Sequence, residues 1–235
     1  MSRPPLAGPA TPPQQQALEI LRQGLTQAGG PVALACSFSV EDVTVIDLLQ
    51  QLAPATRVFA IDTGRLNEEI YETAESVSWR YNLAIDWYFP ERGAVERLER
   101  GKGLFSFRES LKNRHECCGI RKVEPLRRAL AGLSGWITGL RAAQSVTRDA
   151  LQTIEIDAVN GGLFKISPLR NWSEAQLWDY AEARRLPVNR LHAQGYPSIG
   201  CAPCTRAVQP GEDPRAGRWW WENAEHKECG LHRRP

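Results

Sequence analysis

Between residues 32 and 140 the chain repeats one pattern: a short unbroken apolar run, a small polar turn, then residues at helical spacing. Val32-Ala33-Leu34-Ala35-Cys36 is the first run; Ser37-Phe38-Ser39 is its turn, and a helix is expected over 41–52. Arg57-Val58-Phe59-Ala60-Ile61 is the second, followed by Asp62-Thr63-Gly64 and a helix over 67–81 in which Ile70, Ala74, Val77 and Tyr81 share a face. Residues 83–89 supply a third strand, closed by Pro90, and Trp136-Ile137-Thr138-Gly139-Leu140 a fourth. A strand apolar on both pleat faces belongs inside a parallel sheet, and parallel neighbours need a crossover connection. The expected fold class is therefore α/β, a mainly parallel sheet with helices on both faces. Ligands of such sheets bind beyond the carboxyl ends of the strands, where the turns at Ser37, Asp62 and Gly139 are expected to converge.

The flanks fit this plan. A helix is expected over 14–27, ended by Gly29-Gly30-Pro31, and a hairpin or two edge strands over 153–159 and 162–166 around Asn160-Gly161. Ser173 with Gln176 three residues on reads as a capping box opening a helix that runs to 185. Residues 1–13, rich in proline and alanine, read as a disordered tail with no secretory signal; residues 14–190 read as the core domain and 191–235 as a C-terminal arm.

Composition excludes several classes. At 42% apolar and 24% charged residues the chain is ordinary for a globular protein, and no stretch is long and apolar enough to cross a bilayer. A net charge of +2 gives no global field to attract nucleic acid or a membrane. Six cysteines, two of them adjacent, do not form the framework of a small secreted disulfide protein, so a cytoplasmic protein with metal-binding or redox cysteines is expected.

Cys117 and Cys118 stand side by side, and Cys201-Ala202-Pro203-Cys204 follows more than eighty residues later. Four thiolates suit zinc or an iron-sulfur cluster; the adjacent pair is unusual for zinc and tilts the reading toward a cluster, against the plainer one of buried thiols or a disulfide. Ser37-Phe38-Ser39-Val40-Glu41-Asp42 resembles a phosphate-binding turn at a helix N-terminus, but without Walker glycines or lysine, and Ser39 taken alone is an N-cap. Lys122, Arg141, Arg148, Arg215 and Arg218 fall in loops or beside glycine near these motifs, although most arginines only solvate a surface. Trp219-Trp220-Trp221 reads as packing that pins the arm. Cys229, with His232 three residues on, is as much a nucleophile candidate as an idle surface thiol.

Taken in order, Ser37 to Asp42, Ile61-Asp62-Thr63-Gly64-Arg65-Leu66, Cys117-Cys118-Gly119-Ile120-Arg121-Lys122, Thr138-Gly139-Leu140-Arg141 through Arg148, the Cys201/Cys204 pair and Lys227-Glu228-Cys229-Gly230-Leu231-His232 closely resemble the sulfonucleotide reductases, specifically the assimilatory adenylyl-sulfate (APS) branch. The resemblance implies an adenine nucleotide α-hydrolase-like, Rossmann-like fold, a nucleotide-binding 14–190 and a mobile arm. It implies one [4Fe-4S] cluster on Cys117, Cys118, Cys201 and Cys204, not itself the carrier of electrons. It implies a catalytic Cys229 whose thiolate attacks the sulfur of APS, expels AMP and forms an S-sulfocysteine, from which thioredoxin releases sulfite. Lys122, Arg148, Arg215, Arg218 and His232 would surround the sulfate; Ser37, Ser39, Asp62, Gly64, Gly139 and Arg141 would hold the AMP portion. Two departures stand out: Val146 where the family's loop has proline, and Ile70 where it has threonine.

Three readings compete. A 3′-phosphoadenylyl-sulfate (PAPS) reductase, or dual activity, is opposed by the cysteine quartet, which that branch generally lacks. A nucleotide-binding iron-sulfur sensor would not require Cys229 and His232. An ATP-dependent thiolation or amidation enzyme would need a glycine-rich pyrophosphate loop. Partners are then APS, AMP and thioredoxin, with no nucleic acid or membrane, and a homo-oligomer is left open.

Overall fold

The computed structural model describes residues 11–144 and 151–222. Its elements are α1 (Pro12–Ala28), β1 (Val32–Cys36), α2 (Val40–Leu52), β2 (Arg57–Ile61), α3 (Glu68–Tyr81), β3 (Ile85–Tyr88), α4 (Arg92–Lys102), α5 (Leu111–Cys118), α6 (Glu124–Leu130), β4 (Gly135–Ile137), β5 (Ile154–Asp157), β6 (Leu163–Ile166) and α7 (Glu174–Ala183). Six strands form one sheet in the order β3-β2-β1-β4-β6-β5. β1 runs parallel to β4, with Leu34 opposite Ile137, and β4 parallel to β6, while β5 closes one edge antiparallel to β6. The expected mainly parallel α/β sheet is thus the observed one. Among the described residues no helix is long and apolar enough to cross a membrane.

The chain divides into two compact units. Of the described residues, the first gathers those up to Phe59, Glu68–Asp86 and those between Gly132 and Arg190; the second gathers Ala60–Asn67, Trp87–Ala131 and those from Leu191 to Glu222. In the first, Leu34, Val43, Leu48, Ile137 and Ile166 are buried at the centre, and full burial of such a side chain contributes roughly 1.5–3 kcal/mol. α2 is the spine of this unit, with every residue from Val40 to Leu49 buried. A helix enclosed on all sides must satisfy its polar groups internally. Thr44 bonds back to the Val40 carbonyl at 2.8 Å. Asp47 accepts from Tyr81 and Tyr180 hydroxyls at 2.9 and 2.7 Å and from Arg184 Nε at 2.9 Å. α7 starts at the expected capping box of Ser173 and Gln176.

The second unit is built around α4, α5 and α6. Ser110 caps α5, its hydroxyl accepting from the Asn113 amide at 3.1 Å. Between α5 and α6 the helix widens into a π-helical stretch, Gly119–Val123. Pro125 has no N–H to return to the carbonyl four residues back, so a regular ladder cannot pass through here. Leu98, Phe107, Cys117, Cys201, Cys204 and Trp219 form the core of the unit.

Candidate functional site

The structure contains two groupings of the candidate residues, one in each unit. In the first unit the chain leaves β1 through Ser37, Phe38 and Ser39 into α2. Phe38 takes φ 61°, a left-handed conformation that costs an L-residue about 1–2 kcal/mol and is retained with the ring only 1% exposed. Ser39 is the N-cap, accepting from the Asp42 amide at 3.4 Å. Ser37 donates its amide and its hydroxyl to the Asp42 carboxylate, at 2.6 and 2.7 Å. Burial pushes the Asp42 carboxyl up to about 6, against the lowering hydrogen bonds from Ser37 and the Gly139 backbone.

Because β4 lies beside β1, Gly139 emerges next to this turn. A Cβ there would overlap Asp42 Oδ1 and stand 2.8 Å from Glu41 Cβ, so only glycine fits. Two residues on, Arg141 gives Nε and Nη2 to Glu41 Oε1 at 3.1 and 3.0 Å and Nη1 to the Trp172 carbonyl at 3.4 Å. Gln144 Nε2 reaches the same Glu41 oxygen at 2.8 Å. The turns at 37–42 and 139–144 are therefore tied together by two acids from the first turn of α2, where the helix dipole favours negative charge. Sequence reasoning singled out the serines, Gly139 and Arg141 but not the acids that fix them; Glu41 and Arg141, one hundred residues apart, carry no local signal of their pairing.

In the second unit Cys117, Cys118, Cys201 and Cys204 are buried, free of disulfides, and wall a single pocket with Arg65, Phe107, Arg114, Arg121, Lys122 and Trp219. The last turn of α5 presents the first pair, and the 3₁₀ turn Ala202–Cys204 the second. The π-helical stretch holds Arg121 and Lys122 buried beside them. The turn at Asp62 belongs here too. Gly64, at φ +70°, donates its amide to Asp62 Oδ1 at 2.7 Å, and the Thr63 hydroxyl lies 3.2 Å from Cys201 Sγ. Arg121 clamps that turn, with Nη1 on the Thr63 carbonyl at 2.7 Å and Nη2 on Glu99 at 2.5 Å. Arg65 reaches the same Glu99 oxygen at 2.9 Å.

Trp219 takes φ 40° and has cations on it: Arg114 at 4.5 Å and Arg218 at 4.8 Å from the ring centroid. Arg114, fully buried, donates Nε to Glu222 Oε1 at 2.7 Å. Arg218 holds the Ile199 carbonyl at 3.0 Å and pairs with Thr205 in an isolated β-bridge. Arg215 is not among the pocket residues; its carbonyl accepts from the Arg218 amide at 2.9 Å. Arg148, Cys229 and His232 lie outside the described residues.

The thiols differ. Burial, then the neighbouring Cys201, pushes Cys204 up to about 12. Burial also raises Cys117, against Arg65 and Arg121. Burial would raise Cys201 as well, but Lys122, the Thr63 hydroxyl and Arg218 outweigh it and hold the thiol below its ordinary value. Among the described residues around the four thiols, Arg121 Nε, Arg218 Nε and Trp219 Nε1 are buried N–H donors with no acceptor, and Glu222 Oε2 is a buried acceptor with no donor. Among the described residues, five cations, Arg65, Arg114, Arg121, Lys122 and Arg218, stand with three carboxylates, Asp62, Glu99 and Glu222. Orphaned donors and surplus positive charge fit an anionic, acceptor-rich guest on ionised thiolates. Among the described residues no three His, Cys, Asp or Glu side chains are grouped so as to hold a metal ion. Four buried thiols at one pocket are a donor set that suits either zinc or an iron-sulfur cluster. Of these pocket residues, Arg65 and Arg121 were legible only as neighbours of the motifs, and Arg114 gave no signal.

The fold and the thiol pocket define the class: a mainly parallel α/β protein carrying four buried cysteines at one place. FMN adenylyltransferase from Candida glabrata shares this fold at 14% identity and a TM-score of 0.59, over 92% of this chain and 75% of that one. Within the class, residues 31–207 match the phosphoadenosine phosphosulfate reductase domain, and the chain belongs to that family. The PAPS reductase of Candida auris, solved as a phosphate complex, superposes at a TM-score of 0.69 with 27% identity, over 82% of this chain and 90% of that one. Similarity is higher to adenosine 5′-phosphosulfate reductase of Allochromatium vinosum, 50% identical over 93% of this chain and 84% of that protein. The chloroplastic 5′-adenylylsulfate reductase 3 of Arabidopsis thaliana is 46% identical over 92% of this chain, which spans 48% of that longer protein.

Proposed function

We propose that this chain is an oxidoreductase that reduces adenylyl sulfate to sulfite and AMP, with thioredoxin as the electron donor. The observation that carries the reading is the buried four-thiol pocket with its surplus of cations, in a chain half identical to a protein named for APS reduction.

The Cys229 thiolate attacks the sulfur of the bound sulfate ester; the S–O bond to AMP breaks, AMP leaves with that electron pair, and Cys229 carries an S-sulfo group. One thiolate of thioredoxin then attacks Cys229 Sγ, and sulfite leaves with the electrons of the S–S bond. The second thioredoxin thiolate closes the thioredoxin disulfide and returns the Cys229 thiolate, so the dithiol loses the two electrons that the sulfate sulfur gains. Lys122 and Arg218, with Arg148, Arg215 and His232, neutralise sulfate charge so that one anion can approach another. Ser37, Ser39, Asp62, Gly64 and Gly139 hold the AMP portion through turn backbone and hydroxyls; Arg141 contributes by fixing its turn against Glu41. A [4Fe-4S] cluster on Cys117, Cys118, Cys201 and Cys204 would supply the negative charge and sulfur acceptors this pocket lacks, and hold Lys122 in place.

The test is sulfite release from APS and, separately, PAPS, by anaerobically purified protein with thioredoxin and its reductase, with iron and acid-labile sulfide measured on the same sample. The expected result is strong preference for APS with about four irons per chain; preference for PAPS overturns the substrate, and zinc overturns the cofactor. Cys229→Ser is expected to abolish sulfite release while AMP still binds. AMP binding without turnover in the parent would favour the sensor reading.

A further inference from the structure

We infer that Leu104, Phe105, Arg108 and Trp220 form the docking face for the dithiol protein that reduces this enzyme, a surface that rests on the S-sulfocysteine reading above. Leu104, Phe105 and Trp220 are 58%, 55% and 39% exposed. Single exposed apolar residues are common on any protein, but these are joined. The Arg108 guanidinium lies 5.0 Å from the Phe105 ring centroid and 5.5 Å from that of Trp220, and it donates to the Pro203 carbonyl at 3.0 Å. Trp220 in turn packs edge-on against Trp221 at 4.8 Å, and Trp221 against Phe107 at 5.8 Å. Phe105, Arg108 and Trp220 are therefore already packed together without a partner, which lowers the ordering cost of binding, and aromatic residues with arginine are the composition that concentrates binding energy.

Position and charge select the occupant. The described chain ends at Glu222, two residues after Trp220, and Cys229 is seven residues further on. From Trp220 the nine residues to Cys229 reach at most about 32 Å, comparable to the ~30 Å width of a small domain. A protein that attacks the sulfur on Cys229 must come within that distance of this face. Over residues 91–112 the exposed charges are Arg92, Arg97, Arg100, Lys102, Arg108 and Lys112 against Glu91 and Glu109; Arg92 and Arg100 share Glu96 and Lys102 pairs with Glu116, which leaves Arg97, Arg108 and Lys112 as the surplus. Such a field steers an acidic-rimmed partner. The occupant is thus a small dithiol protein with an apolar patch inside an acidic rim.

Thioredoxin is the probe. Sulfite release is measured at saturating APS against thioredoxin concentration and, separately, with dithiothreitol as a reductant small enough to need no docking, for the parent, Arg108→Glu and Leu104→Ser. The expected result is a thioredoxin KM raised at least tenfold in Arg108→Glu and severalfold in Leu104→Ser, with dithiothreitol-driven turnover and iron content at parental levels. In the parent the KM rises with ionic strength, and this dependence is reduced in Arg108→Glu. An unchanged KM in both variants overturns the proposal, as does an equal fall with both reductants, which assigns the face to folding. A parent that turns over with dithiothreitol but not with thioredoxin overturns this docking while leaving APS reduction intact; no sulfite with either reductant sinks the enzyme reading itself.

Discussion

The turn grouping of the first unit and the thiol pocket of the second solve opposite problems. At Ser37, Asp42, Gly139 and Arg141 the polar groups bond one another: two acids of α2 take up the serine donors and the arginine of the facing turn. Around the cysteines, buried N–H donors are left without acceptors and cations outnumber carboxylates. One grouping satisfies its own polar groups; the other leaves donors that a charged guest would satisfy. A folded protein tolerates such a deficit where binding repays it.

The contrast can be broken most severely at Glu222. Its partner Arg114 has a fully buried side chain that also lies over the Trp219 ring, so Glu222→Ala takes a carboxylate from a buried cation, at a cost of up to about 3–5 kcal/mol. The expected readout is a lower thermal midpoint in the apo protein, with part of the loss recovered on reconstitution with iron and sulfide; a change within experimental error would mean that water reaches Arg114.

A second, smaller effect sharpens the completeness of the turn grouping. Asp42 is raised from 3.8 to about 6, so the folded state holds this proton more tightly than the unfolded state does. Its contribution is fully present below pH 3.8 and is lost as pH rises through 6, a decline of about 3 kcal/mol. Asp42→Asn is expected to flatten that part of the stability profile, measured by urea unfolding at pH 4, 5, 6 and 7. Parallel profiles for parent and variant would place the titration elsewhere.

The smallest change, one methyl group, separates the two groupings. Gly139→Ala forces a Cβ into Asp42 and Glu41, an overpacking worth about 1–3 kcal/mol. AMP affinity measured by calorimetry is expected to fall about tenfold or more while iron content stays parental. Loss of iron in this variant would show that the groupings do not stand independently.

Much of this was legible in residue order. β1 and β2 fall on the expected residues, and the capping box at Ser173 opens α7. These are local signals: an apolar run has one way to sit in a sheet, and a capping box needs only three intervening bonds. The boundaries moved where backbone chemistry is subtler. The helix expected over 14–27 starts at Pro12, because proline fits a first helical turn. The fourth strand, expected over 136–140, keeps only Gly135–Ile137 before its turn begins. The π-helical stretch before α6 had a cause in the sequence, Pro125, but no pattern that names it.

The sequence by itself determined the α/β sheet, the two kinds of turn, and the four cysteines as a set, since strand periodicity and the scarcity of adjacent thiols can be read without coordinates. Tertiary structure alone decided that Arg114, once in a helix of unremarkable charge, is buried against Trp219 and Glu222, that Arg121 clamps Thr63, and that Glu41 takes Arg141. Each pairing spans 58 to 108 residues. Charge type at a position says only that a partner is wanted; which partner is set by the packing that excludes water from both.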